Sequence, residues 1–155
     1  MLTPGQEGAL RIRPLEARDR ADWTRLWAAY LAFYETTLAP GIFDTAFDRL
    51  LSEDPHEFRG LIAERDGHPV GLAHFLFHRN LWSVEDICYL MDLFVDPDQR
   101  GGGVGRALID SVHAAARAGG IPVTYWQTQE HNYRGRMLYD RIARRTPFIV
   151  YEKDD

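Results

Sequence analysis

Four glycines in five residues, Gly101-Gly102-Gly103-Val104-Gly105, stand between Arg100 and Arg106, directly ahead of a stretch with helical spacing. Glycine lets a backbone approach a ligand closely and take positive φ. A helix beginning there adds unpaired N–H groups and the positive end of its dipole. Together these make an anion site suited to phosphate or pyrophosphate, with Arg100 and Arg106 supplying charge. A tight surface turn is the plainer alternative. Two nucleotide signatures compete for the same residues, and both fail on spacing. The dinucleotide fingerprint needs a third glycine three positions after the second. From Gly101 and Gly103 that position is Arg106, and from Gly103 and Gly105 it is Leu108. The P-loop needs Lys and then Ser or Thr, whereas Arg106-Ala107 follows Gly105.

Other residues could do proton chemistry or bind charge. Asp92 lies in a mostly apolar run, where an unpartnered carboxylate is costly to bury, so it is either paired to an arginine or functional. Tyr30, Tyr34 and Glu35 fall within one and a half helical turns and would suit a cationic amine, through charge and cation–π contact. Equally, the two tyrosines could be i,i+4 core partners. Trp82 and Glu85 are second candidates for such a wall. Tyr139 carries a hydroxyl that donates at neutral pH, with an ordinary pKa of about 10; on spacing alone it is an aromatic of an amphipathic helix. Asn132 stands where a helix N-cap belongs. His74 and His78 are four apart, but their segment reads as strand and has no Cys or Asp partner in the pattern, so no metal is expected. Cys88 reads as a packed small residue. Lys153 is the only lysine and lies near the C-terminus, which weighs against Schiff-base or Walker-type chemistry.

These residues need elements to hold them. Leu10 to Arg13 alternates and predicts a short strand. Asp19 or Asp22 can cap a helix carrying Trp23, Leu26, Trp27, Tyr30, Leu31 and Tyr34, which Pro40-Gly41 should break. A second helix holds Phe43, Phe47, Leu50 and Leu51. Leu61 to Glu64 runs into Asp66-Gly67, a two-residue hairpin signal, with Val70 to His78 returning. Ile87 to Val95 is a further strand, ended by Asp96-Pro97. The helix after the glycines carries Val104, Leu108, Ile109 and Val112 and stops at Gly119-Gly120. Val123 to Thr128 predicts a strand, Tyr133 to Ala143 a helix, and Phe148 to Tyr151 a closing strand. The order predicts one α/β domain over residues 1–155, a mixed sheet with an antiparallel first half and a crossover in the second.

Composition narrows the functions. At 155 residues the chain is one domain. Eighteen Lys and Arg against twenty-three Asp and Glu leave a net charge of −5, which disfavours nucleic acid as the main partner. The basic face of the last helix, including Arg134, Arg136, Arg141, Arg144 and Arg145, then reads as solvated or anion-binding. A single cysteine fits a reducing compartment, and the cytoplasm is the expected location. No apolar run approaches the roughly 20 residues of a membrane span. Met1 to Gly8 reads as a short mobile lead-in without the pattern of a secretory signal.

The run from Arg100 to Gly105 is similar to the acetyl-CoA pyrophosphate loop of the GNAT N-acetyltransferases, Arg/Gln-x-x-Gly-x-Gly/Ala. Asn132-Tyr133-Arg134-Gly135-Arg136-Met137-Leu138-Tyr139 resembles the family's second signature, Asn-x-x-Ala-x-x-Leu-Tyr, with Gly135 in place of the usual Ala. The motifs stand in the family's order and separation, and the nearest branches are the diamine and the yeast histone/polyamine acetyltransferases. The resemblance implies the GNAT fold, with parallel strands splayed around the coenzyme A site. It implies acetyl-CoA as co-substrate, no metal, and direct attack of a primary amine on the thioester in a ternary complex. Main-chain groups of Leu93, Phe94 and Val95 would meet the pantetheine arm. Gly101, Gly102, Gly103, Val104, Gly105, Arg100 and Arg106 would hold the diphosphate, and Asn132, Gly135 and Tyr139 would flank the arm. Tyr139 would be the general acid that protonates the leaving thiolate. The diamine enzymes carry Glu-Asp where this chain has Met91-Asp92, so the base stays open among Asp92, Glu85, Glu35 and a water chain. Tyr30, Tyr34, Glu35, Glu85 and Asp92 are the expected acceptor contacts. A small or polyamine-like amine is the favoured acceptor. A protein lysine and a non-catalytic acyl-CoA sensor are the alternatives. The last strand is expected to pair across a two-fold in a homodimer.

Overall fold

A computed structural model describes residues 8–155, so the expected lead-in lies, apart from Gly8, outside the described residues. The elements run β1 (Leu10–Pro14), α1 (Arg20–Phe33), α2 (Pro40–Leu50), β2 (Arg59–Arg65), β3 (His68–His78), β4 (Ile87–Val95), α3 (Val104–Ala118), β5 (Thr124–Trp126) and α4 (Tyr133–Ile142). Short 3₁₀ turns cover Ala17–Asp19 and Pro97–Gln99. The five strands lie in chain order in one sheet; β1 to β4 are antiparallel and β4–β5 are parallel. This is the expected mixed sheet of the GNAT fold. Asp66 and Gly67 both take positive φ, 53° and 77°, which a type I′ turn between β2 and β3 demands.

Each face of the sheet buries its own core. On one side Val104, Leu108, Ile109 and Val112 of α3 pack on Ala63, Ala73, Phe75, Cys88 and Leu90, with Leu138, Tyr139 and Ile142 of α4 at the margin. Cys88 is fully buried there, as a packed residue. On the other side Trp23, Leu26, Trp27 and Phe47 of α1 and α2 cover Ile62, Leu72 and Phe94. Neither helix layer shields the other's apolar stripe, so the sheet is the wall both need. Among the described residues no helix is long and apolar enough to cross a membrane.

Three expectations need correction. Asp19 occupies the N-cap position of α1, but its carboxylate makes no cap bond. It accepts instead from both terminal nitrogens of buried Arg13, at 2.7 and 2.6 Å. A cap amide at the surface is a weaker partner than a guanidinium that would otherwise be buried unpaired. Pro40-Gly41 opens α2 rather than merely breaking α1, because proline at the first helical position sacrifices no hydrogen bond. Phe148 to Tyr151 is not a strand of the sheet, which ends at β5. A β-prone run becomes a strand only beside a neighbour that supplies its ladder, and among the described residues none lies there.

Arg13 also pairs with Glu64 of β2. The two carboxylates and the one guanidinium tie β1, the turn before α1 and β2 together. The Arg13 hydrogen bond holds Asp19 below the usual carboxylate range, so this stabilisation is present above the unfolded-state pKa and is lost as pH falls through the folded one. Asp19→Ala leaves Arg13 buried with half its partners gone and should cost about 3–5 kcal/mol in urea unfolding. A loss below 1 kcal/mol would show the triad to be marginal.

Candidate active site

The glycine turn is built to present amides. Strand β4 leaves the sheet at Asp96, whose N–H donates to the Val70 carbonyl at 2.8 Å and whose carboxylate meets Arg25 at 3.3 Å. Arg65 braces the turn from below, donating to Gln99 Oε1 at 3.1 Å. Gly101 and Gly103 take φ of 88° and 81°, where a side chain costs roughly 1–2 kcal/mol. A Cβ on either would meet no atom within 4 Å, so the turn faces open space. The first helical bond of α3 runs from Ala107 N–H to Gly103 O at 3.0 Å. The amides of Val104, Gly105 and Arg106 therefore precede the helical ladder and point out of its N-terminus. Amides, dipole and space fit a diphosphate. The arginines stand differently. Arg100 donates to the Val95 carbonyl at 3.3 Å and lies over the rings of Phe33 and Phe94, bracing the strand end. Arg106 is exposed beside Asp110 at 3.7 Å.

Next to this turn the two parallel strands part. Pairing of β4 with β5 covers only Cys88–Leu90 against Thr124–Trp126. Strand β4 then runs on through Met91 to Val95 with no partner on that side. In the β3–β4 ladder His74 faces Asp92 and Phe75 faces Leu90, so Met91 is the extra residue of a bulge. The gap so opened is lined by Tyr30, Tyr34, Met91, Leu93, Trp126, Gln127 and Tyr139, and encloses about 30 Å³. Tyr139 stands edge-on to Trp126, ring centroids 5.6 Å apart. Asn132 caps α4, its Oδ1 accepting from Gly135 N–H at 3.2 Å while Nδ2 donates to Thr128 Oγ1 at 2.9 Å. A Cβ on Gly135 would lie 2.6 Å from Asn132 Nδ2 and 3.2 Å from the Tyr139 ring. Glycine thus lets cap and tyrosine sit against the same turn.

The electrostatics of the gap are one-sided. Burial pushes the Tyr139 hydroxyl pKa up, with a smaller push from Tyr34. Burial also raises Tyr30 and Tyr34, and in both the charge of Asp92 adds to it. All three hydroxyls hold their protons at neutral pH and can donate. Asp92 is buried, and its Oδ2 lies 2.8 Å from His74 Nδ1.

The structure thus gathers Tyr30, Tyr34, Leu93 and Tyr139 at one gap, with Asp92 acting on Tyr30 and the glycine turn following the end of β4. It does not gather the other two carboxylates. Glu35 is exposed beyond α1, at a positive φ of 55°, and does not line the gap. Glu85 lines a larger cleft of about 570 Å³ with His56, Arg59, Phe77 and Asp86, by the start of β4 and the end of α3. That cleft has volume but neither tyrosine hydroxyls nor a free helix N-terminus, so chemistry favours the smaller gap. Sequence reasoning missed Met91, Trp126 and Gln127 as lining residues, since Met91 is turned by the bulge and the other two line the gap only because β5 parts from β4 there. His74 and His78, set apart in the sequence as strand residues and not a metal pair, have separate partners: His78 bonds Tyr125 at 2.8 Å. Among the described residues no group of three or more His, Cys, Asp or Glu could hold a metal.

The profile of the acetyltransferase (GNAT) family matches residues 21–143. The chain is 33% identical over 144 residues to the D-amino-acid N-acetyltransferase HPA3 of Saccharomyces cerevisiae, covering 92% of this chain and 89% of that one. It is 31% identical over 145 residues to the uncharacterized N-acetyltransferase YhfO of Bacillus subtilis, covering 92% and 95%. Among solved structures, the ribosomal-protein-alanine N-acetyltransferase of Brucella melitensis superposes with a TM-score of 0.80 at 24% identity, over 95% and 100% of the chains. The aminoglycoside acetyltransferase AAC(6')-Iy with a bisubstrate analogue gives 0.83 at 18%, over 96% and 99%. These two show the fold alone. The profile and the two sequence relatives carry more: the chain belongs to the acetyltransferase (GNAT) family and is an acetyl-CoA-dependent N-acetyltransferase.

Proposed function

We propose that this enzyme acetylates a small cationic amine held in the gap between Tyr30, Tyr34 and Tyr139. The observation that carries the reading is the composition of that gap. Three protonated tyrosine hydroxyls line it, a buried carboxylate stands behind one of them, and none of its lining residues is a cation. Such a wall attracts an ammonium and offers a free carboxylate no cation to pair with. Acetyl-CoA supplies the activated acetyl group. Amides from Gly101 to Arg106 hold its diphosphate, with the main chain of Leu93, Phe94 and Val95 along the arm as an added strand would lie. Asn132 and Gly135 border the arm at the start of α4. One strand amide of β4 polarises the acetyl carbonyl. Asp92, acting through Tyr30, takes the proton from the acceptor nitrogen, and Tyr139 gives its proton to the leaving sulfur. A second acceptor class, amino acids, draws support from the yeast relative, a D-amino-acid N-acetyltransferase.

Thiol release from acetyl-CoA distinguishes the acceptors. Polyamines, simple primary amines, D- and L-amino acids and lysine peptides are compared at equal concentration. Diamines or monoamines should exceed amino acids at least about tenfold in kcat/KM, equivalent to roughly 1.4 kcal/mol. The reverse order would replace the amine reading, and coenzyme A binding without turnover on any of them would remove the mechanism.

Tyr139→Phe tests the acid. Its kcat should fall by about 10²–10⁴, with coenzyme A affinity by calorimetry unchanged. Equal turnover would take Tyr139 out of the reaction.

The tail supports a homodimer. Phe148, Ile149, Val150 and Tyr151 are 74%, 71%, 68% and 88% exposed, and Phe148 rests only its ring edge near Trp82. Strand β5 meanwhile ends the sheet, with no strand on its outer side among the described residues. Edge and tail complement one another, and a second copy supplies both. Deleting residues 147–155 should convert a dimer into a monomer by light scattering. A monomeric intact chain would overturn the pairing.

A further inference from the structure

Behind the tyrosine wall, α1, β3 and β4 bury a hydrogen-bonded line. Trp23 Nε1 lies 2.9 Å from His74 Nε2, and His74 Nδ1 lies 2.8 Å from Asp92 Oδ2. Trp23, His74 and Asp92 are 1%, 4% and 8% exposed. An indole N–H can only donate. His74 Nε2 must therefore accept, and the single imidazole proton must sit on Nδ1, aimed at Asp92. A second proton on His74 would have to evict the N–H of Trp23, a residue 1% exposed. The histidine is thus held neutral, and the negative charge of the pair rests on Asp92. The bulge at Met91 completes the arrangement, because it sets Asp92 directly opposite His74 and turns Met91 outward. Asp92 also acts on the Tyr30 hydroxyl, which burial and then the Asp92 carboxylate keep protonated.

We propose that His74 is a positioning residue for acetyl transfer: fixed by Trp23 as its Nδ1–H tautomer, it holds Asp92 ionised and turned towards Tyr30, where the acceptor nitrogen loses its proton. This rests on the reading of the gap as the acceptor site. Two protons must leave the acceptor ammonium. The first departs to solvent and frees the lone pair. As the C–N bond forms and the C–S bond breaks, the second passes to Tyr30 while Tyr30 gives its own to Asp92. The sulfur takes the proton of Tyr139, which is restored by the proton that Asp92 gives up. The sum is an amide, a thiol and one proton released. A bare Asp92 could rotate to any donor; His74 leaves it one orientation.

Imidazole ¹⁵N shifts at neutral pH read the lock directly in the intact protein. We expect a protonated Nδ1 and an unprotonated Nε2 for His74; an Nε2–H tautomer or an imidazolium would overturn the proposal whatever the acceptor proves to be. Two variants read its consequence. His74→Leu should lower kcat about 10²-fold with the KM for acetyl-CoA unchanged, and His74→Asn, whose amide can still donate to Asp92, should recover to within about tenfold of wild type. Equal kcat in the two variants would reduce His74 to packing. Should His74→Leu fail to fold, Trp23→Phe removes the lock together with some core packing: loss of the single tautomer together with lower kcat supports the proposal, and unchanged kcat overturns it. Absence of any turnover in wild type would instead strike the acceptor reading and leave the tautomer result standing.

Discussion

The parting of β4 from β5 governs everything at the site. Parallel strands that stayed paired would give a closed sheet with no place for a reacting group. Here the ladder ends at Leu90 and Trp126, and the bulged residue Met91 comes next. A bulge adds local twist and re-aims the chain, so β4 turns away from its neighbour at that point. Its other edge stays tied to β3 as far as Val95, which keeps the open edge rigid. The amides of the α3 N-terminus stand at the end of that edge, and the tyrosines of α1 and α4 face one another across it. One irregular residue thereby opens the gap and orients the carboxylate beside it.

Buried charge is handled in two ways in this fold, and the difference separates structure from chemistry. Asp19 lies against a guanidinium in two-pronged geometry, and with Glu64 it leaves Arg13 fully engaged. That cluster is a tie between β1, β2 and the start of α1. Asp92 is buried to a similar degree, but its partner is a histidine whose other nitrogen is occupied by a donor. A neutral partner orients a carboxylate without cancelling its charge. The field of Asp92 is accordingly felt by Tyr30, Tyr34 and Tyr89, whose hydroxyls it helps to keep protonated.

The structural neighbours include an acetyltransferase of ribosomal-protein alanine and one of aminoglycosides, on a frame that superposes over nearly the whole chain. What these neighbours share with this chain is the fold. On the proposed function, choice of acceptor rests on what covers the gap, α1 with its tyrosine pair and the Trp126 side of β5. A fold fixes where the acetyl group is presented, while the side chains facing it fix what is allowed to receive it.

Periodicity and punctuation were enough to place most of the elements and the glycine turn. The limits of β4 and α3, the Asp66-Gly67 turn and the cap at Asn132 all follow from local rules, because each depends on residues a few positions apart. The glycine turn was legible for the same reason: positive φ at Gly101 and Gly103 and a helix behind them are properties of one short segment. What remained hidden depends on residues distant in the chain. Asp19 was legible as a cap but not as the partner of Arg13, and the tail from Phe148 to Tyr151 was legible as β-prone but not as lacking a neighbour. His74 was legible as a strand residue but not as the partner of Asp92, eighteen positions away, against which the bulge sets it. Local sequence determined which segments could bend, cap and cradle an anion; only the tertiary structure decided which buried groups meet, since a hydrogen bond across a sheet is set by register and packing rather than by spacing along the chain.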